Sequence, residues 1–391
     1  MKTPSFRGQM FLKVLKSAKH GTLELVLPDG SRDQYGEGAP QIHVHLKNWK
    51  ALDLLFSKGD IGLAEAIVDD LMLVDDVAAL VEWACRNDQD LAKVIYGSWY
   101  GTIASKIHHF LNRNNRKGAQ KNIMAHYDLG NEFYSLWLDE SMTYSSAIFK
   151  TPNQSLAEAQ NQKYDQIIDS LEIKSGDHLL EIGCGWGGFF SRAIERTGCK
   201  VTAVANSPEQ IRYNQAKIEK QNMKDHVEVL QQDYRDISGR FDKVISIEMI
   251  EAVGEQYWNT FFSKMRASLK EKGKAAIQGI TIREDLFYSY KKGTDFIQQS
   301  VFPGGMLLTD KAVSQASEQN GLMVYGSHEF GLDYARTLKL WRENFNKALP
   351  HVRGMGFDDR FIRLWNLYLA YCEGAFRAQR ISVSQFWLVP V

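Results

Sequence analysis

The chain has 391 residues, too many for one small core, and a length prior gives about two or three domains. Its 47 Lys and Arg balance 47 Asp and Glu, so no excess positive charge points to nucleic acid as the main partner. No apolar run reaches the roughly 18 residues of a membrane span. The four cysteines, Cys85, Cys184, Cys199 and Cys372, lack metal-ligand spacing, which fits a reducing cytosol and neither a zinc site nor a disulfide framework.

The N-terminal stretch Met1 to Leu15 carries basic residues without a sustained apolar core or a small-residue cleavage site, so no signal peptide is expected. Residues 1–95 read as a small α+β domain, for lipid binding or dimerisation. Gly21 to Pro28 is a predicted strand, Asp29-Gly30 a hairpin turn, and Gln41 to Leu46 the alternating return strand. Trp49 to Phe56 is helical and stops at Lys58-Gly59, and two further helical stretches run from Gly62 and from Asp75 to Cys85. His43 and His45 share one face of a strand, being two apart. Without a third ligand they read as a solvated or core-edge pair.

Residues 96–122 change character. Tyr96, Trp99 and Tyr100 lead into a segment, Ser105 to Lys121, with five Lys or Arg and no acid. Two readings stay open: a solvated basic linker, or a segment lying on an anionic phospholipid surface, where each basic residue contributes roughly 1 kcal/mol.

Ser155 and Glu158 form a predicted capping box opening a helix through Leu171. Strands and helices then alternate: His178 to Ile182, Lys200 to Ala205, Val227 to Leu230, Asp242 to Ile247 and Lys274 to Ile280 are the strands. Such alternation builds a parallel sheet with helices on both faces. The first strand runs into Gly183-Cys-Gly-Trp-Gly-Gly, a turn whose glycines let backbone approach a ligand, followed by a helix with free N–H groups at its start. Gly183, Gly185 and Gly188 satisfy the dinucleotide spacing, but Glu181 stands where a dehydrogenase turn has an apolar residue. The second strand ends in Asn206-Ser207-Pro208, not in the acid that takes an NAD ribose. Both features suit S-adenosylmethionine. Beyond Ile280, the charged stretch from Arg283 to Gly293 reads as surface or lid. From Arg336 onward the sequence reads as helical, with Phe361, Trp365, Tyr368, Cys372 and Phe376 as a core stripe, one side of which could line a ligand tunnel.

Several motifs occur together and in register: His126-Tyr-Asp-Leu-Gly-Asn, Tyr144-Ser145, the Glu181 turn, Gln232-Asp-Tyr-Arg-Asp and Glu251-Ala-Val-Gly. With them stand Phe302-Pro303, Phe330-Gly331-x-Asp333-Tyr334 and Gly374-Ala-Phe-Arg. Over residues 121–391 this set resembles the cyclopropane fatty acid synthase family of S-adenosylmethionine-dependent methyltransferases. The resemblance implies a class I, Rossmann-like α/β fold with a seven-stranded, mostly parallel sheet in residues 123–391, helical elements covering the substrate at its C-terminal end. It implies methylation at carbon of an unsaturated acyl group in membrane phospholipid, by a cytoplasmic protein peripheral to the inner membrane, and it allows a homodimer. It places Tyr144, Ser145, Gly183, Gly185 and Gln210 around the cofactor and Asp233 and Tyr234 beside the adenine. In the family, the alkene takes the methyl group, and a bicarbonate ion then removes a proton so that the ring closes. The positions that hold this ion correspond to Ser146, Glu251, Gln278, Ile280 and Tyr334. Two depart from the pattern: Ser146 replaces a cysteine and Gln278 a histidine. Ala252 also replaces the histidine that commonly follows the glutamate. These changes open two alternatives: a methyl-branched product without a ring, and Glu251 itself as the base. A non-catalytic lipid-binding protein is the reading from another class.

Overall fold

The computed structural model describes residues 3–88, 91 and 129–391; the basic segment 96–122 and the start of the His126 motif lie outside them. The described residues form two compact units.

The first unit is built on a four-stranded sheet of order β2-β1-β3-β4: β1 His20–Val26, β2 Arg32–Tyr35, β3 Glu37–Leu46 and β4 Met72–Val74. Asp29-Gly30 does turn the backbone, but the antiparallel partner across that turn is β2, and β3 pairs with β1 in parallel. The return strand expected at 41–46 therefore sits on the other edge of β1. β3 alternates exposed and buried residues from Gln41 to Leu46. His43 and His45 are both on its exposed side, and the Nδ1 of His43 meets Glu24 Oε2 at 3.0 Å. No cluster of metal-ligating side chains occurs among the described residues.

Residues 289–301 and 338–380 also belong to this unit. The sequence assigns them to the methyltransferase domain, so the division at residue 95 needs correction. The reason is packing. The helix Asp359–Arg377 lies against the helices Val77–Arg86 and Asp60–Val68. Its stripe Ile362, Trp365, Tyr368, Leu369 and Phe376 is core. Gly374 allows the closest approach: a Cβ there would stand 2.4 Å from the Ala78 carbonyl oxygen and 2.7 Å from Val81 Cβ.

The second unit carries a seven-stranded sheet of order β10-β11-β9-β8-β5-β6-β7. β5 His178–Ile182, β6 Lys200–Ala205, β7 Val227–Gln231, β8 Phe241–Ile247 and β9 Leu269–Ile282 are mutually parallel where they pair. β10 Leu322–Glu329 and β11 Ile381–Pro390 add an antiparallel edge. The expected strands are all present. The expectation of helix to the C-terminus fails at β11, where Ile381, Val383, Phe386, Trp387 and Val389 supply the β-branched and aromatic residues of a strand. The capping box forms as expected: Glu158 N donates to Ser155 Oγ, and Ser155 N donates to Glu158 Oε2 at 2.9 Å. Phe189, Phe190, Ala193, Ile167 and Ile168 pack one face of the sheet, which fixes the turn after β5. No helix among the described residues is long and apolar enough to cross a membrane.

Gly374→Ala should destabilise the first unit by about 1–3 kcal/mol, the cost of overpacking a closed helix contact. A thermal melt lowered by several degrees checks this; an unchanged melt would show that the helices can separate freely.

Candidate active site

β5 delivers the backbone to the glycine turn while still pinned to the sheet. Gly183 N and Cys184 N both donate to the Val204 carbonyl of β6, at 2.9 and 3.1 Å. Asn214 Nδ2 donates to the Gly185 carbonyl at 2.8 Å, and Lys217 Nζ to those of Trp186 and Gly187 at 3.2 Å. The turn is thus held from its carbonyl side. Gly185 has φ +52°, and a Cβ there would meet nothing within 4 Å. Its bare face looks onto open space, the cradle that a nucleoside needs.

Glu181 lies at the base of this cradle, 3% exposed, with no partner for its Oε2 among the described residues. Burial pushes its pKa up to about 8, against the pull of Lys217 and Lys163. A buried carboxylate with an unmatched oxygen suits a ligand bearing positive charge. Aromatic rings flank the turn: Tyr134 stands 4.9 Å from Trp186 and 5.6 Å from Tyr144, and Trp137 5.5 Å from Tyr144. Gln210 is buried in the first turn of the helix Pro208–Lys220, capped by Ser207. Asp233 closes the turn after β7: its carboxylate takes Arg235 Nε at 2.8 Å and Arg235 Nη2 at 2.6 Å. Tyr234 sets its ring edge-on to Phe261.

A second group of side chains lies at the ends of β8 and β9. Here the structure brings together all five expected residues, Ser146, Glu251, Gln278, Ile280 and Tyr334, and adds one that the sequence does not single out. Glu248 follows β8 with φ +48°, a conformation that a residue other than glycine adopts at a cost of about 1–2 kcal/mol. Its Oε1 accepts from Ser146 N at 2.9 Å and Gln278 Nε2 at 2.7 Å, and its Oε2 accepts from Tyr334 OH at 2.6 Å. Gln385 on β11 donates to Gln278 Oε1 at 3.1 Å, which turns the Gln278 amide nitrogen toward Glu248. Glu251 is held differently. Its Oε1 accepts from Ile280 N at 2.6 Å, and its Oε2 has no partner among the described residues.

Both glutamates keep some exposed surface as residues, yet protein surrounds the carboxylates closely enough to raise both pKa values. For Glu251, desolvation and then the charge of Glu248 lift it to about 8. For Glu248 desolvation acts upward, while Tyr334, Ser146 and Lys163 pull down. Lys163 is fully buried, donates to Ser145 Oγ at 2.6 Å, and is pushed down to about 7 by burial. Motif and spacing pass over it too, although Ala159, Lys163 and Ile167 fall four apart on the inward face of one helix.

The motif around Tyr334 positions the loop after Met142. Asp333 Oδ2 accepts from Phe149 N and Thr337 Oγ1 from Ala147 N, each at 3.1 Å. The two halves of the site share a wall: a Cβ on Gly183 would come within 2.8 Å of Met249 Cγ, the residue next to Glu248.

The family model described as mycolic acid cyclopropane synthetase matches residues 114–386. The tuberculostearic acid methyltransferase UfaA1 of Mycobacterium tuberculosis is 33% identical across 96% of this chain and 89% of its own. The chain belongs to the mycolic acid cyclopropane synthetase family. The cyclopropane-fatty-acyl-phospholipid synthase of Escherichia coli is 31% identical, covering 89% of this chain and 88% of its own. The solved mycolic acid cyclopropane synthase CmaA1, in complex with SAH and CTAB, superposes with TM-score 0.65 at 28% identity over 69% of this chain and 97% of that one. This family member is an S-adenosylmethionine-dependent methyltransferase.

The residues present fit S-adenosylmethionine. Gly185 leaves room for the nucleoside, and Glu181 offers its unmatched oxygen to a cation. When bound, the cofactor supplies an electrophilic methyl group. Bicarbonate, by contrast, does not fit the residues present. Ser146 N, Gln278 Nε2 and Tyr334 OH, at three of its implied positions, all donate to Glu248.

Gly185→Ala should lower S-adenosylmethionine affinity at least tenfold, because the methyl fills the cradle, while the melting temperature falls only slightly. Calorimetry with unchanged affinity in the folded variant would overturn the assignment of this turn.

Cofactor binding should also release a proton. Glu181 is largely protonated below about pH 8 in the free protein, and a bound cation favours its carboxylate. Affinity should therefore rise from pH 6 to 7.5, by at most about tenfold per unit. Calorimetry in buffers of different ionisation enthalpy reads the proton, and Glu181→Gln should flatten the dependence.

Proposed function

We propose that this protein methylates the double bond of an unsaturated acyl group in membrane phospholipid and closes it to a cyclopropane. The observation that supports this is the pair of carboxylates, Glu248 and Glu251, beside the wall shared with the cofactor turn. Methyl transfer to nitrogen or oxygen needs a base for the nucleophile's own proton. Methyl transfer to an alkene instead creates a carbocation and needs a base afterwards. A desolvated carboxylate, fixed by hydrogen bonds, is such a base. The acyl substrate draws support from the relatives named as a tuberculostearic acid methyltransferase and a cyclopropane-fatty-acyl-phospholipid synthase.

A second product reading follows from Ser146 and Gln278. With the base fixed on Glu248 by these two residues and Tyr334, proton loss from a neighbouring carbon of the acyl group gives a methyl-branched olefin. The two products have the same mass, so the assay is NMR of the lipid. Cyclopropyl proton signals from vesicles of unsaturated phosphatidylglycerol with S-adenosylmethionine support ring closure. Branched olefinic signals alone would replace it by the second reading, and no methyl transfer to any unsaturated phospholipid would sink both.

Membrane association is proposed from the sequence between residues 105 and 121. Neutralising Arg113, Arg116, Lys117 and Lys121 should weaken binding to anionic vesicles and its salt dependence, with cofactor affinity unchanged. Sedimentation with vesicles reads this; binding indifferent to both salt and the substitutions would leave only a linker.

A further inference from the structure

We infer that the Glu248 carboxylate takes the place of the bicarbonate ion and is the built-in base of this enzyme; the inference rests on the alkene methylation proposed above. The resemblance implies five positions for the ion, and the structure shows a carboxylate of the protein itself bonded to donors from three of them. Ser146 N and Gln278 Nε2 reach one oxygen and Tyr334 OH the other. A bicarbonate and a carboxylate present the same planar pair of oxygens, so donors arranged for one serve the other. A carboxylate offers about four acceptor sites. Three are in use, and one on Oε2 stays available for a proton. Gln278 fits this role where an ionisable side chain is not needed: its amide, oriented by Gln385, donates whatever the pH.

Glu251 is the weaker candidate for the base. It has one donor, from Ile280, against three on Glu248. Two adjacent buried carboxylates resist double ionisation, so the proton they hold stays with the one least solvated by donors. The three donors on Glu248 against one on Glu251 favour Glu248 as the ionised member of the pair and Glu251 as the protonated one.

The π pair of the alkene forms a bond to the methyl carbon as the carbon–sulfur bond breaks, and sulfur keeps that electron pair. The neighbouring alkene carbon becomes cationic. Glu248 takes a proton from the new methyl group, and the released C–H pair closes the ring onto the cation. Proton loss from an adjacent carbon of the acyl group instead leaves the branched olefin. Glu248 ends as a neutral acid and returns its proton to solvent. No co-reactant beyond the substrate and the methyl donor is needed.

The backbone offers a clean test. Glycine adopts φ +48° without strain, so Glu248→Gly relieves the backbone and opens the space the side chain filled, while it leaves the Ser146, Gln278 and Tyr334 donors to be met by water or an added anion; its cofactor affinity and thermal melt report that the variant is folded. Methyl transfer to unsaturated phosphatidylglycerol vesicles is measured in carbon-dioxide-free buffer with and without added bicarbonate. The unaltered enzyme should change by less than about twofold. Glu248→Gly should lose roughly 100-fold or more and regain much of it on adding bicarbonate. Glu248→Gln should lose as much with no recovery, since the amide still fills the space and cannot accept the proton. Cofactor affinity by calorimetry should stay within about twofold in all three. An unaltered enzyme that is active only with bicarbonate overturns this inference and leaves the alkene reading standing, as does Glu248→Gln at full activity. An unaltered enzyme inactive in both buffers overturns the alkene reading itself.

Discussion

The structure of the site depends on one constraint: a carboxylate placed away from water must be met by donors. An ionised carboxylate buried alone costs several kcal/mol even after relaxation. Hydrogen bonds to a charged group return about 1.5–3 kcal/mol each, so Glu248 with three of them is sustainable and with none it is not. Each donor comes from a different part of the second unit. Ser146 lies in the loop after Met142, Gln278 on β9, and Tyr334 in the first turn of the helix Gly331–Lys347. β11 takes part through Gln385, and the loop is held in turn by Asp333 and Thr337. The segments that converge here are therefore tied to one another through a single anion, and the aromatic and apolar core of the sheet holds the strands that carry them.

Much of this is legible in the sequence, and the exceptions have physical causes. The five parallel strands and the glycine turn announce themselves because continuous apolar runs ending in glycine have few other uses. The capping box at Ser155 is a local motif and forms locally. β11 escapes because Phe361 to Arg377 imposes a strong helical period just before it, and the change to a strand occupies only ten residues. The place of the helix Asp359–Arg377 escapes for another reason. Periodicity tells which face is apolar but not which partner covers it, and the partner here is two helices almost three hundred residues earlier.

Glu248 is the instructive omission. In the sequence it is one acid at the end of a strand, three residues before Glu251, and the recognisable motif begins only at Glu251. Nothing in composition or spacing reveals its left-handed backbone, and that conformation aims its side chain at Tyr334 rather than along the strand. Lys163 is similar. Its position on an inward helical face is readable, but its bond to Ser145 arises only when a loop folds over that helix.

A base that is part of the protein differs from a captured anion in when its ordering cost arises. A diffusing ion must be immobilised after each departure, and its occupancy follows its concentration. Glu248 is ordered once, during folding, at the further expense of a strained φ, and is then in place for every turnover. That pre-organisation has a chemical consequence. A carbocation is consumed by whichever base lies nearest, so the product depends on a position that the protein fixes by three hydrogen bonds rather than on where an ion settles. The residues that hold Glu248 then become residues that choose the product. Gln278 and Tyr334 sit on its two oxygens, so altering either shifts the remaining acceptor site relative to the substrate without removing the base. The departure at Gln278 and the presence of Glu248 are then linked through one hydrogen bond, whereas Ser146 contributes only its backbone N–H. The shell that would bind an ion has become the shell that aims a side chain.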